Sequence, residues 1–251
     1  MDDRQYSPTY IDNRPYGVTI PSVDQWNAVI DTTSHSSSFE KFFHTKGCFS
    51  WCQDDYPASL KSRQIRGGEY PRGVKIYTAK SRTDFIGFRP VLIPLNPDTL
   101  KPDSSMLDCI PDGVALGLGS LYINGHSVST KYPGDDYVKN TPVYDPQSLV
   151  QLGDSALDLY SHLQFVKCGD FLIADRNILR NISWEDLDNC GLVYGNGLSD
   201  TLFLKSKPTL DDLIRDAFAE SQIQLGEELR SDTVQVITEN LKKRLARNIV
   251  R

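Results

Sequence analysis

The chain has 251 residues, a formal net charge of −6, 39% apolar residues and 17 glycines. This composition is globular and excludes wholesale disorder, and domains of about 150 residues give one or two domains. The acidic balance argues against general nucleic-acid binding, and no apolar run approaches the ~18 residues of a membrane span, so no membrane partner is expected. Five cysteines are an odd number for a disulfide scaffold, so we expect free thiols in a reducing compartment.

The first segment, residues 1–97, contains one predicted helix. In IPSVDQWNAVI, Ser22 precedes Gln25 by three positions, which is a capping box, and apolar residues recur at helical spacing behind it. From 48 to 91, short aromatic runs are broken by Gly, Pro and Asp, which is typical of irregular loops between short strands. The large side chains predicted to be buried are Trp26, Trp51, Phe88 and the aliphatic stem of Arg89.

The rest of the chain divides into three further segments. Residues 98–112 are a proline-rich linker. Residues 113–205 contain strand-like pieces with predicted turns at Asn124-Gly125 and around Gly169, and Ser183 as a helix cap, which predicts a small mainly-β or α+β module. Residues 206–251 carry two apolar stripes and a basic end, which predict a helical hairpin. These helices either pack on their own protein or form an oligomer, and both interpretations stay open.

No common catalytic or nucleotide-binding motif occurs, and the four histidines are scattered. Cys48 and Cys52 lie four residues apart, but no second close pair completes a zinc site. Small buried thiols are the favoured interpretation of cysteines flanked by Phe and Trp. We therefore predict neither a metal nor a cofactor.

Several short motifs occur in the order found in one family. They are IPSVDQW, SWCQDDY, RGG at 66–68, IGFRPVL at 86–92 and LNPDTL at 95–100. In these motifs the chain resembles C-type-lectin-like domains of the formylglycine-generating-enzyme type, above all their phage- and prophage-encoded versions. The resemblance covers residues 19–100 and, less specifically, ISWEDLDNCGLVYG at 182–195. With the segments above, it predicts an α+β fold: a C-type-lectin-like N-terminal domain, a small mainly-β second module and a C-terminal helical hairpin.

The resemblance implies a scaffold without the family's chemistry. Arginines bonded to backbone carbonyls pin the loops of such a fold, a role implied here for Arg66 and Arg89. The oxidases of the family carry two cysteines just after the RGG motif, and the corresponding residues here are Arg72 and Tyr77. The chain is therefore predicted not to be an enzyme. The alternative is a degenerate or unrecognised metalloenzyme of the same fold, whose ligands would be His44, Cys48, Cys52 and Asp54.

Residues 61–89 form a basic stretch with interleaved aromatic residues. Eight lysines and arginines stand against Glu69 and Asp84, a net charge of +6 within an acidic chain. One interpretation is a solvated cationic face that acids elsewhere balance, and the other is a binding surface built from tyrosine contact area and arginine hydrogen bonds. The interleaved aromatic residues favour binding. The predicted partner-binding residues are Tyr70, Arg72, Lys75, Tyr77, Lys80 and Arg82.

These observations predict a non-enzymatic binding protein of phage or prophage type that recognises a protein or glycan with an acidic surface. The protein would act in the virion, as an attachment or tail component, or in the host cytoplasm, as an inhibitor of a defence system. Any homo-oligomer would form through the C-terminal helices. Nucleic-acid contact through residues 61–89 is a weaker option, which predicts salt-sensitive binding.

Overall fold

The computed structural model describes residues 6–33, 48–56, 59–68, 72–129 and 141–196. Over these residues the chain is mainly β, with thirteen strands and two α-helices, so the predicted α+β class is wrong. Residues 48–91, predicted as irregular loops between short strands, contribute four strands and the first residue of a fifth to this β content. The predicted helical hairpin of 206–251 lies outside the described residues.

Strands greatly outnumber helices among the described residues. Along the chain the strands are β1 (Pro8–Ile11), β2 (Arg14–Thr19), β3 (Phe49–Tyr56), β4 (Ser59–Gly67), β5 (Lys75–Thr78), β6 (Ile86–Phe88), β7 (Val91–Pro94), β8 (Ala115–Ile123), β9 (His126–Ser127), β10 (Val150–Gly153), β11 (His162–Cys168), β12 (Phe171–Ala174) and β13 (Leu179–Arg180). The α-helices are α1 (Val23–Thr33) and α2 (Trp184–Asn189), and single turns of 3-10 helix lie at Ser104–Leu107 and Leu159–Ser161. Neither α-helix of the described residues has the length and apolar character needed to cross a membrane.

The strands form two sheets. The larger, eight-stranded sheet has the antiparallel order β1-β2-β7-β12-β11-β8-β10, with β9 beside β8. The smaller sheet has the order β13-β6-β3-β4-β5, in which β3 and β6 run parallel. Strands from both sides of the linker at 98–112 share the larger sheet, because β12 and β11 lie between β7 and β8. All of these strands belong to one compact unit within residues 1–206.

Helix α1 begins at the predicted capping box. The Gln25 N–H donates to the Ser22 Oγ at 3.1 Å, and the Ser22 N–H donates to the Gln25 Oε1 at 3.0 Å. Its apolar side packs on the larger sheet, where Trp26 belongs to a cluster with Val91 and Ile173. The helix thereby covers one face of this sheet, and the prediction of its start is confirmed.

The other face of the larger sheet lies against the main core. Leu92 and Leu172 are buried there, while their neighbours Val91 and Ile173 face the helix. A strand buried on both faces carries a continuous apolar run instead of alternation, which explains VLIP in β7 and FLIA in β12. The burial predicted from the sequence is confirmed for all four side chains: Trp26, Trp51, Phe88 and Arg89.

Short turns connect neighbouring strands where the backbone adopts positive φ. The predicted turn at Asn124-Gly125 is confirmed, with φ of 52° and 80°, and it joins β8 to β9. Gly169, with φ of 59°, opens the turn between β11 and β12, as predicted. A third turn, Asp12-Asn13 between β1 and β2, has φ of 50° and 62° and was not predicted. Such angles suit Gly, Asn and Asp, which tolerate the left-handed region.

The larger sheet curls so that its two edge strands, β1 and β10, come close to each other. Side chains tie their ends together. The Asp12 N–H donates to the Asp154 carboxylate at 2.6 Å, and the Ser155 N–H donates to the Asp12 carboxylate at 2.7 Å. Burial alone would raise the pKa of Asp12, but its hydrogen bonds from Ser155 outweigh burial and lower it. The result is a half-barrel with a seam between β1 and β10.

Candidate functional site

Strand β5 lies at the edge of the smaller sheet and pairs with β4 on one side. At the end of this ladder the Ala79 N–H donates to the Lys61 C=O at 2.9 Å. Hydrogen-bonding direction alternates along an antiparallel pair, so Lys75 and Tyr77 also direct their backbone groups towards β4. Ile76 therefore directs its N–H and C=O away from β4, at the open edge of the sheet.

An aromatic cluster lies behind this edge. The Lys75 Nζ lies 4.4 Å from the centroid of the Phe49 ring. The half-buried Tyr77 packs edge-to-face on Phe85 with centroids 5.6 Å apart, and Phe85 packs on Phe49 in the same manner at 6.1 Å. Tyr77 thus holds β5 against the core with one side of its ring. Lys75 has no acidic partner among the described residues, and the aromatic face stabilises its charge instead.

Three of the predicted partner-binding cations are paired with acids from distant parts of the chain. The pairs are Arg72 with Asp31, Lys80 with Glu185 at 3.8 Å, and Arg82 with Asp186 at 2.7 Å. Asp31 lies on α1, whereas Glu185 and Asp186 lie in the first turn of α2. Acids elsewhere in the fold therefore balance part of the cationic face, as one of the two interpretations of residues 61–89 supposed.

The pair between Arg82 and Asp186 is forked and half-buried. The Arg82 Nε and Nη2 donate to the two carboxylate oxygens at 2.9 and 2.7 Å. Asp186 also completes the capping box of α2, in which its carboxylate accepts the Ser183 N–H at 2.9 Å. Burial alone would raise the pKa of Asp186, but the hydrogen bonds from Arg82 and Ser183 hold it below its ordinary value of 3.8. The carboxylate in turn raises the pKa of Arg82.

The predicted partner-binding residues fall on and beside β5. Lys75 and Tyr77 lie on the strand, Lys80 and Arg82 lie in the loop 79–85 that follows, Arg72 precedes the strand by three residues, and Tyr70 lies outside the described residues. The structure therefore brings most of them to one edge of the smaller sheet. It also shows that Arg82 is engaged by the fold, whereas Lys75 and Lys80 face solvent.

Arg66 and Arg89 have the scaffold role that the resemblance implied. The buried Arg66 donates from Nη1 to the Arg72 C=O at 2.7 Å. Arg89, only 2% exposed, donates to the Asp175 C=O and to the Ser50 Oγ, both at 3.1 Å. Because Ser50 lies on β3 and Asp175 follows β12, Arg89 joins the two sheets. The role of both arginines as carbonyl-binding residues is confirmed.

Of the four metal ligands suggested by the metalloenzyme alternative, Cys48 and Cys52 pack in the core and Asp54 caps the start of α1. Burial raises the pKa of the Cys48 thiol to about 11 and that of the fully buried Cys52 further still. The Asp54 carboxylate accepts the Val23 N–H at the start of α1 at 2.6 Å. His44 lies outside the described residues, and within those ranges no three His, Cys, Asp or Glu side chains are arranged to hold a metal ion. The interpretation of Cys48 and Cys52 as buried thiols is confirmed.

A second candidate site, a cleft at the seam of the half-barrel, was not predicted. It is a cleft of about 540 Å³ whose walls include Tyr10 of β1 and Tyr122 of β8. The sequence signal nearest to it is Asp12-Asn13, which marks a turn between two short strands. Such a signal is local, whereas the strand on the far side of the cleft comes much later in the chain.

No family model, curated protein or solved structure matches the chain. The resemblance to domains of the formylglycine-generating-enzyme type therefore stays a prediction. In fold and site together, the described residues form a two-sheet β protein with an exposed cationic edge strand and a separate cleft at the seam of its larger sheet.

Proposed function

We propose that the protein is a non-enzymatic binding protein that engages an acidic protein partner through β5 and the loop 79–85, together called the β5 surface. The supporting observation is the position of β5, an edge strand with Lys75 and Lys80 facing solvent beside it. A rigid sheet that presents cations at an open edge complements carboxylates. For this reason a protein with an acidic segment is favoured over a glycan at this surface.

The open edge of β5 supports the addition of a partner strand. Ile76 has its backbone groups directed outwards, and its side chain is exposed. An extended segment that pairs there gains main-chain hydrogen bonds, and side-chain contacts supply specificity. The Thr78 C=O accepts the Ser81 N–H at 2.9 Å, so the edge ends at this turn. The partner segment that fits is therefore short.

The cations of the β5 surface differ in how freely a partner's carboxylates can bind them. The Lys80 side chain is 81% exposed and lies 3.8 Å from Glu185. An exposed pair of this kind is worth about 0–1 kcal/mol, so a carboxylate of the partner can replace Glu185 at little cost. Lys75 offers an ammonium without an acidic partner among the described residues. Arg82 is held by Asp186 and fixes the loop on which the partner would lie.

The wider setting of this proposal rests on the resemblance alone. A phage- or prophage-type protein would use the β5 surface on a host protein, in the virion as an attachment or tail component or in the cytoplasm as an inhibitor of host defence.

Displayed libraries of short extended peptides test the proposal, with one library rich in Asp and Glu and matched neutral and basic libraries beside it. We expect selection from the acidic library, with affinity falling about tenfold or more for Lys75→Glu and for Ile76→Pro, which removes the outward N–H. Ile76→Val keeps that N–H, and Lys101→Glu makes the same charge change on an exposed residue outside the β5 surface. Both controls should bind like the wild type. Absence of acidic selection, or full binding by Lys75→Glu, contradicts the proposal.

A further inference from the structure

The seam cleft, defined as the concave site between β1 and the β8–β10 pair, has the size of a ligand site. Its volume of about 540 Å³ lies within the ~300–1,000 Å³ of typical small-molecule sites. The hydrogen bonds that Asp12 makes with Asp154 and Ser155 fix the two strands at one end. The walls are therefore in place before any ligand arrives, which lowers the entropic cost of binding.

Two tyrosine rings form the apolar part of the seam cleft. Tyr10 on β1 is 50% exposed and lines one wall of the cleft. On the opposite wall the Tyr122 hydroxyl donates to the Asp154 C=O at 2.9 Å, so its ring is held in one orientation. Gly153 lies beneath this ring, and a Cβ at that position would be 3.5 Å from it. The missing side chain of Gly153 leaves the floor of the cleft open.

The polar groups of the seam cleft are neutral or acidic. Asn13 and Gln151 each offer an amide, which both donates and accepts hydrogen bonds. Asp154 adds a carboxylate, which only accepts. None of the described residues that line the cleft is a lysine or an arginine. An anionic ligand would therefore meet a carboxylate with no cation to balance it, whereas a ligand rich in hydroxyl groups finds both donors and acceptors.

We propose that the seam cleft binds a neutral carbohydrate. Sugar hydroxyls both donate and accept hydrogen bonds, which matches Asn13, Gln151 and Asp154, and the apolar C–H face of a sugar ring packs on flat aromatic rings such as Tyr10 and Tyr122. The inference is independent of the β5 surface, because the cleft belongs to the larger sheet.

A peptide strand is the other ligand that strand edges attract, and the seam disfavours it. Inserting a strand between β1 and β10 requires about 9.6 Å between them, twice the ~4.8 Å spacing of paired strands. Asp12 bonds directly to Asp154 and Ser155 across the seam, so this end cannot widen without losing those hydrogen bonds. A sugar on the outer face of the seam leaves them intact.

An array of neutral oligosaccharides built from glucose, galactose, mannose and N-acetylglucosamine, with sialylated and sulfated oligosaccharides beside them, is probed with the full chain as the test. We expect binding to at least one of the neutral oligosaccharides, confirmed by titration calorimetry. Tyr10→Ala should weaken that binding about tenfold or more. Gly153→Leu should abolish it by filling the floor, since the backbone of Gly153 suits any residue and its Cβ position is free of clashes. Tyr194→Ala removes an exposed tyrosine outside the cleft and should bind as the wild type does.

Thermal unfolding of each variant shows whether it is folded, and the exposed Tyr10 keeps the test valid should Gly153→Leu destabilise the sheet. The inference is overturned if no neutral oligosaccharide binds, if only sialylated or sulfated sugars bind, or if Tyr10→Ala binds with wild-type affinity. It is also overturned if extended peptides bind and Gly153→Leu blocks them while sugars do not compete. Binding that is lost in both cleft variants and kept in Tyr194→Ala supports it.

Discussion

The Arg82 guanidinium donates two hydrogen bonds, of 2.9 and 2.7 Å, to the carboxylate of Asp186, which lies 104 positions later in the chain. The bonds fasten the loop after β5 to the first turn of α2, where the same carboxylate caps the helix through Ser183. Arg82 thus positions the loop of the β5 surface as well as carrying one of its charges.

Replacing the acid of this pair should cost stability. Asp186→Asn keeps the size of the side chain but removes its charge, leaving Arg82 and the Ser183 N–H with a weaker acceptor in a site where the acid is 9% exposed. We expect a loss of about 2 kcal/mol in the free energy of unfolding, measured by urea denaturation. The neighbouring Glu185→Gln, which breaks only an exposed pair with Lys80, should change stability by less than about 0.5 kcal/mol. Equal losses in the two variants would refute the assignment.

The same pair predicts a pH dependence. The pKa of Asp186 is lower in the folded protein than its ordinary 3.8, so the folded state holds fewer protons than the unfolded chain when the pH falls past that value. The stabilisation is complete above the ordinary pKa and is lost as the pH falls through the lowered one. The difference in unfolding free energy between wild type and Asp186→Asn should therefore be constant from neutral pH to about 5 and shrink near pH 3. A difference that grows in acid has the wrong sign for this account.

Removing the guanidinium of Arg89 should weaken the contact between the two sheets and destabilise the fold. Arg89→Met keeps the length of the stem but leaves the Asp175 C=O and the Ser50 hydroxyl without their charged donor. We expect a loss of about 3 kcal/mol or more in unfolding free energy, since each bond to a charged group contributes about 1.5–3 kcal/mol. Lys101→Met, which removes the charge of an exposed side chain, is the control and should be near neutral. A stable, cooperatively folding Arg89→Met variant would show that packing alone joins the sheets.

Thiol reactivity should separate the cysteines by burial. Cys109 is exposed and should react rapidly with a disulfide reagent at pH near 8, whereas Cys48 and Cys52 should stay protected in the folded protein. With a pKa of about 11, roughly one in a thousand Cys48 thiols is ionised at that pH, and burial also blocks access. In urea all five cysteines should react. Rapid labelling of Cys52 in folded protein would reopen the metalloenzyme alternative.

Local features of the fold could be predicted from the sequence, and long-range ones could not. The start of α1 and the Asn124-Gly125 turn depend on residues a few positions apart, so their signals are contained in short stretches of sequence. The pairing of Leu92 with Leu172 depends on contacts across 80 residues and leaves no local pattern. Strand β7 was not predicted because, buried on both faces, it lacks the alternation by which strands are usually recognised, and this contributed to the wrong α+β prediction.

In the candidate site, too, residues close together in the sequence could be predicted and their distant partners could not. Lys75, Tyr77 and Lys80 lie within six residues of one another, so their common surface followed from the sequence alone. The carboxylates that face this surface, such as Glu185, come from a helix more than a hundred residues later, and no spacing rule connects them. The seam cleft was missed for the same reason, since its tyrosines belong to strands far apart in the chain.

The insertion of β11 and β12 between β7 and β8 also sets when the chain can fold during synthesis. Leu92 pairs with Val18 of β2 on one side, but its other side has no partner strand until Leu172 has left the ribosome. The helix cluster around Trp26 lacks Val166 and Ile173 until then. The N-terminal strands therefore emerge with an open apolar edge, which is the state in which nascent chains aggregate or recruit chaperones. Since contacts of this sequence separation also slow folding, a ribosome stalled at the linker would display an unfinished sheet, and this sheet is completed only after β11 and β12 have emerged.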